Sequence, residues 1–356
     1  MDEPGYSDTR PLGPLAASEQ RVAARTKLRR RRLIRTIVIA VVAVIAVVAI
    51  VVGTYVGGIA RTFDDKTVKL EKVFPDGNRP EAAGGGVQNI LLLGSDTRGN
   101  LSELNNAAGS DQRSDTIMLI HVPSDGKGVY GMSIMRDSWV DIPGAGQGKI
   151  NSAIAIGGIP LLVKTLEGML GTRIDNVAAL DFGGFEKLTD AIGGVSVNVP
   201  QDFKAIDGLT FKAGEQVLDG AHALAFVRER HAFADGDYQR VKDQQAYMKS
   251  LMNKMLSPSV LANPGMVSNA VTKFAPYLGV DRTFTSGDVM GLGWKLRNVR
   301  GKDVHMFTLP NSGTSFSSDG QSIIVVDQKA VADVGKALRD DTMAQYIADH
   351  PDGQQH

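Results

Sequence analysis

The residues best suited to chemistry are aspartates and arginines placed where apolar runs end. Leu91-Leu92-Leu93-Gly94-Ser95 runs straight into Asp96 and Arg98, Arg113-Ser114-Asp115 leads into the run Thr116 to Val122, and Met135-Arg136-Asp137 closes the run that begins at Val129. Strand ends are where a layered α/β sheet binds ligands. Asp96, Asp115 and Arg136 are therefore expected to converge, although an Asp beside Gly or Ser is more commonly a turn or cap residue.

A second group follows at Phe226-Val227-Arg228-Glu229-Arg230. Two arginines at that spacing share a face if the segment is extended, whereas a helix would set them about 200° apart. Asp237, Arg240 and Gln244 are spaced as one polar stripe on a helix, and Tyr247 and Leu251 continue the line. An exposed Asp237–Arg240 pair would be the plainer reading, worth a few tenths of a kcal/mol.

Two carboxylates suit a hard cation such as Mg²⁺, or Mn²⁺, which completes its shell with water and phosphate oxygens. Arginines offer permanently charged, two-pronged donors to phosphate. Arg113, Arg136, Arg228, Arg230 and Arg240 would outweigh Asp96 and Asp115 and leave a positive site, able to stabilise charge growing on a departing phosphate. Other signatures are absent from the sequence. Gly148-Lys149 lacks the earlier glycine and the following Ser or Thr of a phosphate loop, there is no G-x-S-x-G or H-E-x-x-H, and the six histidines lack metal-ligand spacing. His222 and His231 lie near the arginines but read as surface or structural residues.

The elements that would position these groups alternate in type. Val87–Leu93, Thr116–Val122 and Val129–Met135 read as buried strands, as does a run near Val304–Leu309. Helical spacing covers Pro160–Leu170, Phe182–Ile192, Asp237–Met255, Pro258–Phe274, Ser286–Asn298 and Gln328–Ala348. The interleaving predicts an α/β fold, a three-layer α/β/α domain with a central mixed sheet.

Ahead of that domain, every residue from Ile37 to Val52 is Ile, Val or Ala, and the run fades near Ile59. That matches one bilayer crossing of about 20 residues and exceeds the ~7–15-residue core of a cleaved signal. Eight Lys and Arg from Arg21 to Arg35 stand directly before it without an acid among them, which predicts a cytoplasmic N-terminus and an extracytoplasmic body. Beyond residue 36 acids outnumber bases, the reverse of a nucleic-acid footprint. With no cysteine, neither disulfides nor thiolate metal sites are possible. The expected organisation is a basic cytoplasmic tail at 1–36, a transmembrane helix at 37–57, a Pro- and Gly-punctuated linker at 58–86, a catalytic domain at 87–310 and a helical C-terminal extension at 311–356.

Six ordered segments resemble the LytR-CpsA-Psr family of bacterial cell-envelope enzymes. They are NILLLGSDTR (Asn89–Arg98), RSDTIMLIHV (Arg113–Val122), MSIMRDSWVDIPG (Met132–Gly144), KINSA (Lys149–Ala153), DFGGFEKLTDAIGGV (Asp181–Val195) and AGEQVLDGAHALAFVRER (Ala213–Arg230), with Asp237, Arg240 and Gln244 after them. Coverage runs from about residue 87 to 250 and, more loosely, to about 310. The resemblance implies a membrane-anchored, extracytoplasmic phosphotransferase that moves a glycopolymer, of arabinogalactan or teichoic type, from a polyprenyl-pyrophosphate carrier onto peptidoglycan. It matches Asp96 and Asp115 to metal ligands, and Arg113, Arg136, Arg228, Arg230 and Arg240 to pyrophosphate-binding arginines. Asp237, Gln244, Arg98 and Lys149 fall on further site positions. Arg113, Arg136, Arg228, Arg230 and Asp237 are thus expected in catalysis, with Arg98, Lys149, Arg240 and Gln244 binding substrate.

Two departures stand out: the loop from Asp96 to Asp115 looks longer than the family's shortest versions, and the segment after about residue 310 is expected to be an extension without a second C-terminal domain. The rival readings are a pyrophosphatase acting on polyprenyl pyrophosphates, a membrane-tethered transcriptional regulator, and a non-catalytic binder of lipid-linked glycans. The regulator has little support, since no helix-turn-helix is present.

Overall fold

Apolar side chains alternate along the central runs of this chain, so each strand can cover two helical layers at once. The computed structural model describes residues 45–46, 49–95, 101, 114–233 and 236–351, with only the backbone of Ser114, Asp115 and Leu261. The chain divides into two units, Met1–Gly58 and Ile59–His356. In the first, residues 45–46 and 49–58 are helical and mostly exposed; 45–46 and 49–57 are the described part of the expected membrane span, and the basic tail lies outside the described residues.

Helix α1 (residues 49–66) runs into the second unit. There follow β1 (Val68–Leu70), β2 (Gln88–Ser95), β3 (Ser114–Val122), β4 (Val129–Ile134), β5 (Ser138–Ile142), β6 (Gly146–Lys149), α2 (Ser152–Leu170), β7 (Asn176–Asp181) and α3 (Phe182–Ala191). A small lobe comprises β8 (Val195–Val199), β9 (Phe203–Lys204), β10 (Thr210–Phe211) and β11 (Gly214–Leu218), and leads to α4 (Gly220–Arg228) and α5 (Asp237–Met255). After α6 (Pro258–Leu261) and α7 (Pro264–Phe274) come β12 (Leu278–Asp281), α8 (Ser286–Lys295), β13 (Val304–Thr308), β14 (Asn311–Phe316), β15 (Ser322–Val326), α9 (Gln328–Arg339) and α10 (Met343–Asp349).

The main sheet is mixed and seven-stranded, in the order β1-β12-β7-β2-β3-β4-β13. Leu91, Leu93, Ile117, Leu119, Met132 and Val177 face one core with Leu162, Val163 and Leu166 of α2 and Val334 and Leu338 of α9. Their neighbours Ile90, Leu92, Met118, Ile120 and Ala178 face the other way, towards α5, α7 and α8. This is the expected three-layer α/β/α arrangement. Helix α2 is apolar and long enough to cross a membrane, yet 56% of its most apolar window is buried; it is a core helix, kinked at Gly157 and Gly158.

Three expected boundaries change. The linker expected at 58–86 is structured instead: β1 pairs with β12, Leu70 and Val73 are buried, and the Arg79 guanidinium grips Glu167 of α2 at 2.6 Å. Residues 311–356 are not a separate helical extension, because β14 and β15 extend the β5–β6 hairpin into a second, four-stranded sheet and α9 packs on α2. That packing is close enough that a Cβ on Gly335 would lie 2.0 Å from the Leu170 carbonyl oxygen. Finally, the single helices expected over Pro258–Phe274 and Gln328–Ala348 are each broken, the first before Pro264 and the second where Asp341 takes a left-handed φ of 57°. Proline and left-handed backbone both interrupt helical hydrogen bonding.

Candidate active site

Strands β2 and β7 run parallel and finish side by side, with Ser95 opposite Asp181, while antiparallel β3 begins and β4 ends at the same sheet edge. Gly94 pairs with Thr116 but Ser95 pairs with Ser114, so Asp115 is the extra residue of a β-bulge at this edge. Bulges of this kind commonly adjoin active sites. The side chain of Asp115 is not described, and Asp96, Arg98 and Arg113 lie outside the described residues.

Helix α5 is clamped beside this edge by one buried amide. Gln245 Nε2 donates to Ser133 Oγ of β4 at 3.1 Å and to Thr308 Oγ1 of β13 at 3.0 Å. The adjacent Gln244 Nε2 donates to the Val227 carbonyl at 3.1 Å, fixing the end of α4 against α5. The stripe read from the sequence therefore faces inward, with Arg240, Tyr247 and Leu251 buried.

Asp237 stands in the first turn of α5, where a carboxylate also suits the helix dipole. Its oxygens lie 3.3 Å from Arg240 Nη2, 3.8 Å from Arg136 Nη2 and 3.9 Å from Arg230 Nη1. One carboxylate thus draws together three guanidinium groups from three separate segments. Arg136 is flanked on its other side by Asp137, at 3.5 Å, and Asp137 also holds Lys149 Nζ at 3.0 Å.

Arg228 and Arg230 reach the same place by a route the spacing did not predict. Arg228 ends α4, and the chain then turns extended at Glu229 (φ −66°, ψ 135°), so no continuous strand is involved. Glu229 makes this turn rigid. It is buried, and its carboxylate accepts the amides of Ile206 (2.8 Å), Arg230 (2.8 Å), His231 (2.6 Å) and Ala232 (3.0 Å). Burial alone would raise its pKa, but the four amides together outweigh that and hold it below the ordinary glutamate range. Arg228 is exposed and lies over the Phe182 ring, 4.5 Å from the centroid.

Arg136, Arg228, Arg230, Arg240 and Gln244 together line one pocket of ≈ 270 Å³. Thr116, Phe182, Val227 and Gln244 are shared between this pocket and an apolar cavity of ≈ 80 Å³ walled by Leu92, Met118, Leu180, Phe185, Leu224, Tyr247 and Met248. The Tyr247 hydroxyl bonds Thr189 Oγ1 at 2.6 Å, and burial pushes its pKa up to about 12. A cationic pocket that shares a wall with an apolar one is suited to an anionic head group on a hydrophobic chain. Of the expected site residues whose side chains are described, Asp237 and Lys149 do not line the arginine pocket: Asp237 adjoins it through Arg136, Arg230 and Arg240, and Lys149 through Asp137 and Arg136.

Phe182, Glu229 and Gln245 were not singled out from the sequence. Glu229 carried a weak signal as an acid between two arginines; Phe182 and Gln245 carried none, since their partners are distant in the chain. For a metal, no group of three His, Asp or Glu side chains able to hold one occurs among the described residues, and the side chains of the expected ligands Asp96 and Asp115 lie outside them.

Comparison with known proteins identifies relatives of this chain. Residues 59–340 match the model of the LytR_cpsA_psr family. Over 197 residues the chain is 41% identical to the "Probable cell wall biosynthesis protein LcpB" of Corynebacterium glutamicum, covering 52% of this chain and 47% of that protein. It is 31% identical over 295 residues to "Cell wall biosynthesis protein LcpA" of the same organism, covering 72% and 55%. The chain therefore spans about half the length of these two relatives. Among solved structures, "TagT bound to LIIa-WTA" superposes with a TM-score of 0.60 at 26% identity, covering 78% of this chain and 99% of that one; TagT is a Bacillus subtilis protein. The extent of the family match and the shared three-layer fold together establish that this chain belongs to the LytR-CpsA-Psr family.

Proposed function

We propose that the protein is a membrane-anchored, extracytoplasmic phosphotransferase that moves a glycopolymer from a polyprenyl-pyrophosphate carrier onto peptidoglycan. The observation that carries this reading is the arginine pocket sharing a wall with the apolar cavity. The arginines would bind the pyrophosphate, and the cavity would take the carrier's first isoprene units. At ≈ 80 Å³ the cavity is smaller than a long prenyl chain, so entry requires Phe185, Leu224 and Met248 to move apart.

In the transfer, a peptidoglycan hydroxyl attacks the sugar-side phosphorus. The new P–O bond forms as the bridging P–O bond breaks, polyprenyl phosphate leaves with the bonding electrons, and the hydroxyl proton is released to solvent. Arg136, Arg230 and Arg240, gathered by Asp237, are placed to stabilise the departing phosphate, and Arg228 is placed at the junction with the apolar cavity. Such preorganised charge is commonly the largest contribution to catalysis of this kind. Mg²⁺ or Mn²⁺ held by Asp96 and Asp115 would add positive charge at the phosphate oxygens. Lys149 and Arg98 would support the site from its edge.

The test is product analysis with a lipid-linked glycan and a peptidoglycan acceptor. A phosphodiester-linked product that requires the acceptor and disappears with a chelator supports transfer. Release of phosphate products at the same rate without acceptor would instead indicate a pyrophosphatase.

A further inference from the structure

Strand order gives the site a direction. Strands β7, β2, β3 and β4 follow one another along the sheet edge, and the apolar cavity lies over the first three, walled by Leu180, Leu92 and Met118. Arg136 and Asp137 continue from the end of β4, where they line a cleft with Thr116, Asp237 and Arg240. A carrier with its tail in the cavity and its pyrophosphate on the arginines therefore turns its sugar-side phosphorus towards Asp137.

Phosphoryl transfer sets the attacking and leaving oxygens roughly in line, with the other oxygens spread equatorially. The leaving oxygen belongs to the lipid-side phosphate and lies on the cavity side, so the attacking hydroxyl must arrive from the side of Arg136 and Asp137. The donor's own sugar, on an equatorial oxygen, leaves sideways.

The β5–β6 hairpin stands on that approach and is fixed to it. The Asn151 amide donates to the Arg136 carbonyl at 3.2 Å, the Ile150 amide to the Ser138 carbonyl at 2.9 Å and the Ile324 amide to the Asp137 carbonyl at 2.9 Å. Val140 and Ile142 of β5 are buried in the core, so alternation turns Trp139 and Asp141 outward. Register sets Trp139 opposite Lys149 and Asp141 opposite Gln147, with Val325 of β15 on the other side of Trp139. Lys149 reaches back to Asp137 at 3.0 Å, and side chains opposite each other on paired strands stand about 5 Å apart. One outward surface thus runs from the edge of the arginine pocket through Lys149 to the Trp139 ring.

This surface suits a hydroxyl-rich ring. Trp139 is partly exposed, and its Nε1 donates to Gln147 Oε1 at 3.1 Å, which orients the indole and leaves the N–H donors of Gln147 for a ligand. Asp141 and Lys149 are the only charged residues in the four strands of this sheet, and they cancel; adding Arg136 and Asp137 keeps the sum at zero. The face therefore selects for neither a polyanion nor a cation. Sugar C–H groups carry partial positive charge that the negative face of an indole attracts, and hydroxyl and acetamido groups pair with carboxylate and amide.

We propose that the outer face of β5 and β6, centred on Trp139, is the platform for the acceptor glycan and holds a sugar ring next to the hydroxyl that attacks. The proposal rests on the phosphotransferase reading above.

The chain has 2 tryptophans, so a Trp294→Phe background leaves Trp139 as the sole indole. Full-length protein of that background in detergent micelles is titrated with soluble disaccharide-peptide units of peptidoglycan and, separately, with the stem peptide alone. Trp139 emission should change saturably with the first and not with the second, and Asp141→Ala should weaken the response. In transfer assays Trp139→Ala and Asp141→Ala should each raise the acceptor KM about tenfold, the scale of a truncated contact residue, and leave the donor KM unchanged. Trp139→Phe should retain most of the affinity. If Trp139→Ala does not fold, Asp141→Ala and Gln147→Ala, both at exposed positions, carry the same test. Silent emission, a response to the stem peptide alone, or a loss confined to kcat would overturn the platform. A raised donor KM with an unchanged acceptor KM would put the donor's sugar on this face and also overturn it. An emission response with no transfer by wild type would keep glycan on this face and defeat the phosphotransferase reading instead.

Discussion

Glu229 accepts the backbone amide of Ile206 at 2.8 Å, so the residue between Arg228 and Arg230 also holds the β9–β10 turn beside the arginine pocket. Its other carboxylate oxygen takes three successive amides. Replacement by Gln leaves one acceptor oxygen and presents an N–H to an N–H. Leaving a buried amide unsatisfied costs about 1–3 kcal/mol, so Glu229→Gln should lower stability by about 3 kcal/mol, read as a shifted denaturant midpoint at constant slope. Because the folded pKa lies below its ordinary value, this contribution is present above the ordinary glutamate range and lost as pH falls through the folded pKa. The variant should lack that acid limb.

Asp243 should show the opposite sign. It is 2% exposed; one oxygen accepts from Gln239 at 2.9 Å and the other has no hydrogen-bond partner. Burial, with a smaller push from Glu229, raises its pKa to about 7. Between about pH 4 and about pH 7 the unfolded chain ionises Asp243 while the folded chain keeps the proton, so stability falls as pH rises across that window. Asp243→Asn should remove this slope and melt higher than wild type at pH 8, with the difference shrinking towards pH 4. Parallel melting curves at both pH values would refute it.

Asp237 gathers Arg136, Arg230 and Arg240, which makes it a positioning residue for those guanidinium groups. Asn keeps an acceptor oxygen and Ala does not. Transfer by Asp237→Asn should therefore fall about tenfold with a raised KM, while Asp237→Ala loses about 10²-fold or more, the range seen when a preorganised contact is removed. Equal loss in both, confined to kcat, would favour a general base instead.

Arg228 is exposed and packs on Phe182, so Arg228→Ala should leave the melting temperature within a degree or two, as surface substitutions commonly do. Transfer should drop by about 10²–10³-fold. Unchanged turnover in a folded variant would remove Arg228 from the mechanism.

Leu224 walls the apolar cavity but not the arginine pocket. Leu224→Trp should fill the cavity and lower kcat/KM for long prenyl carriers well below its effect on a short-chain analogue. The same loss for both chain lengths would show that the cavity does not receive the tail.

Much of this organisation is legible in local patterns. The apolar runs that became β2, β3 and β4 and the stripe that became the inner face of α5 are periodic, and periodicity follows from backbone geometry alone. The expectation of a membrane span likewise rests on composition alone, the apolar run from Ile37 and the arginines before it. The pairing of distant segments is a different matter. Residues 58–86 read as a linker because Gly and Pro punctuate them, yet β1 gains ladder bonds from β12 some two hundred residues later.

The site divides along the same line. Residue types alone pointed to arginines, phosphate and a hard cation, and segment by segment they marked Arg136, Arg228, Arg230, Arg240 and Gln244. Only the tertiary structure decided how they meet: Arg228 and Arg230 through a helix end and a turn locked by Glu229, α5 through a Gln245 clamp to strands it does not adjoin in sequence, and the apolar cavity through Phe182. These contacts depend on which surfaces pack together, and a burial or hydrogen bond between residues far apart in the chain leaves no periodic trace in either partner.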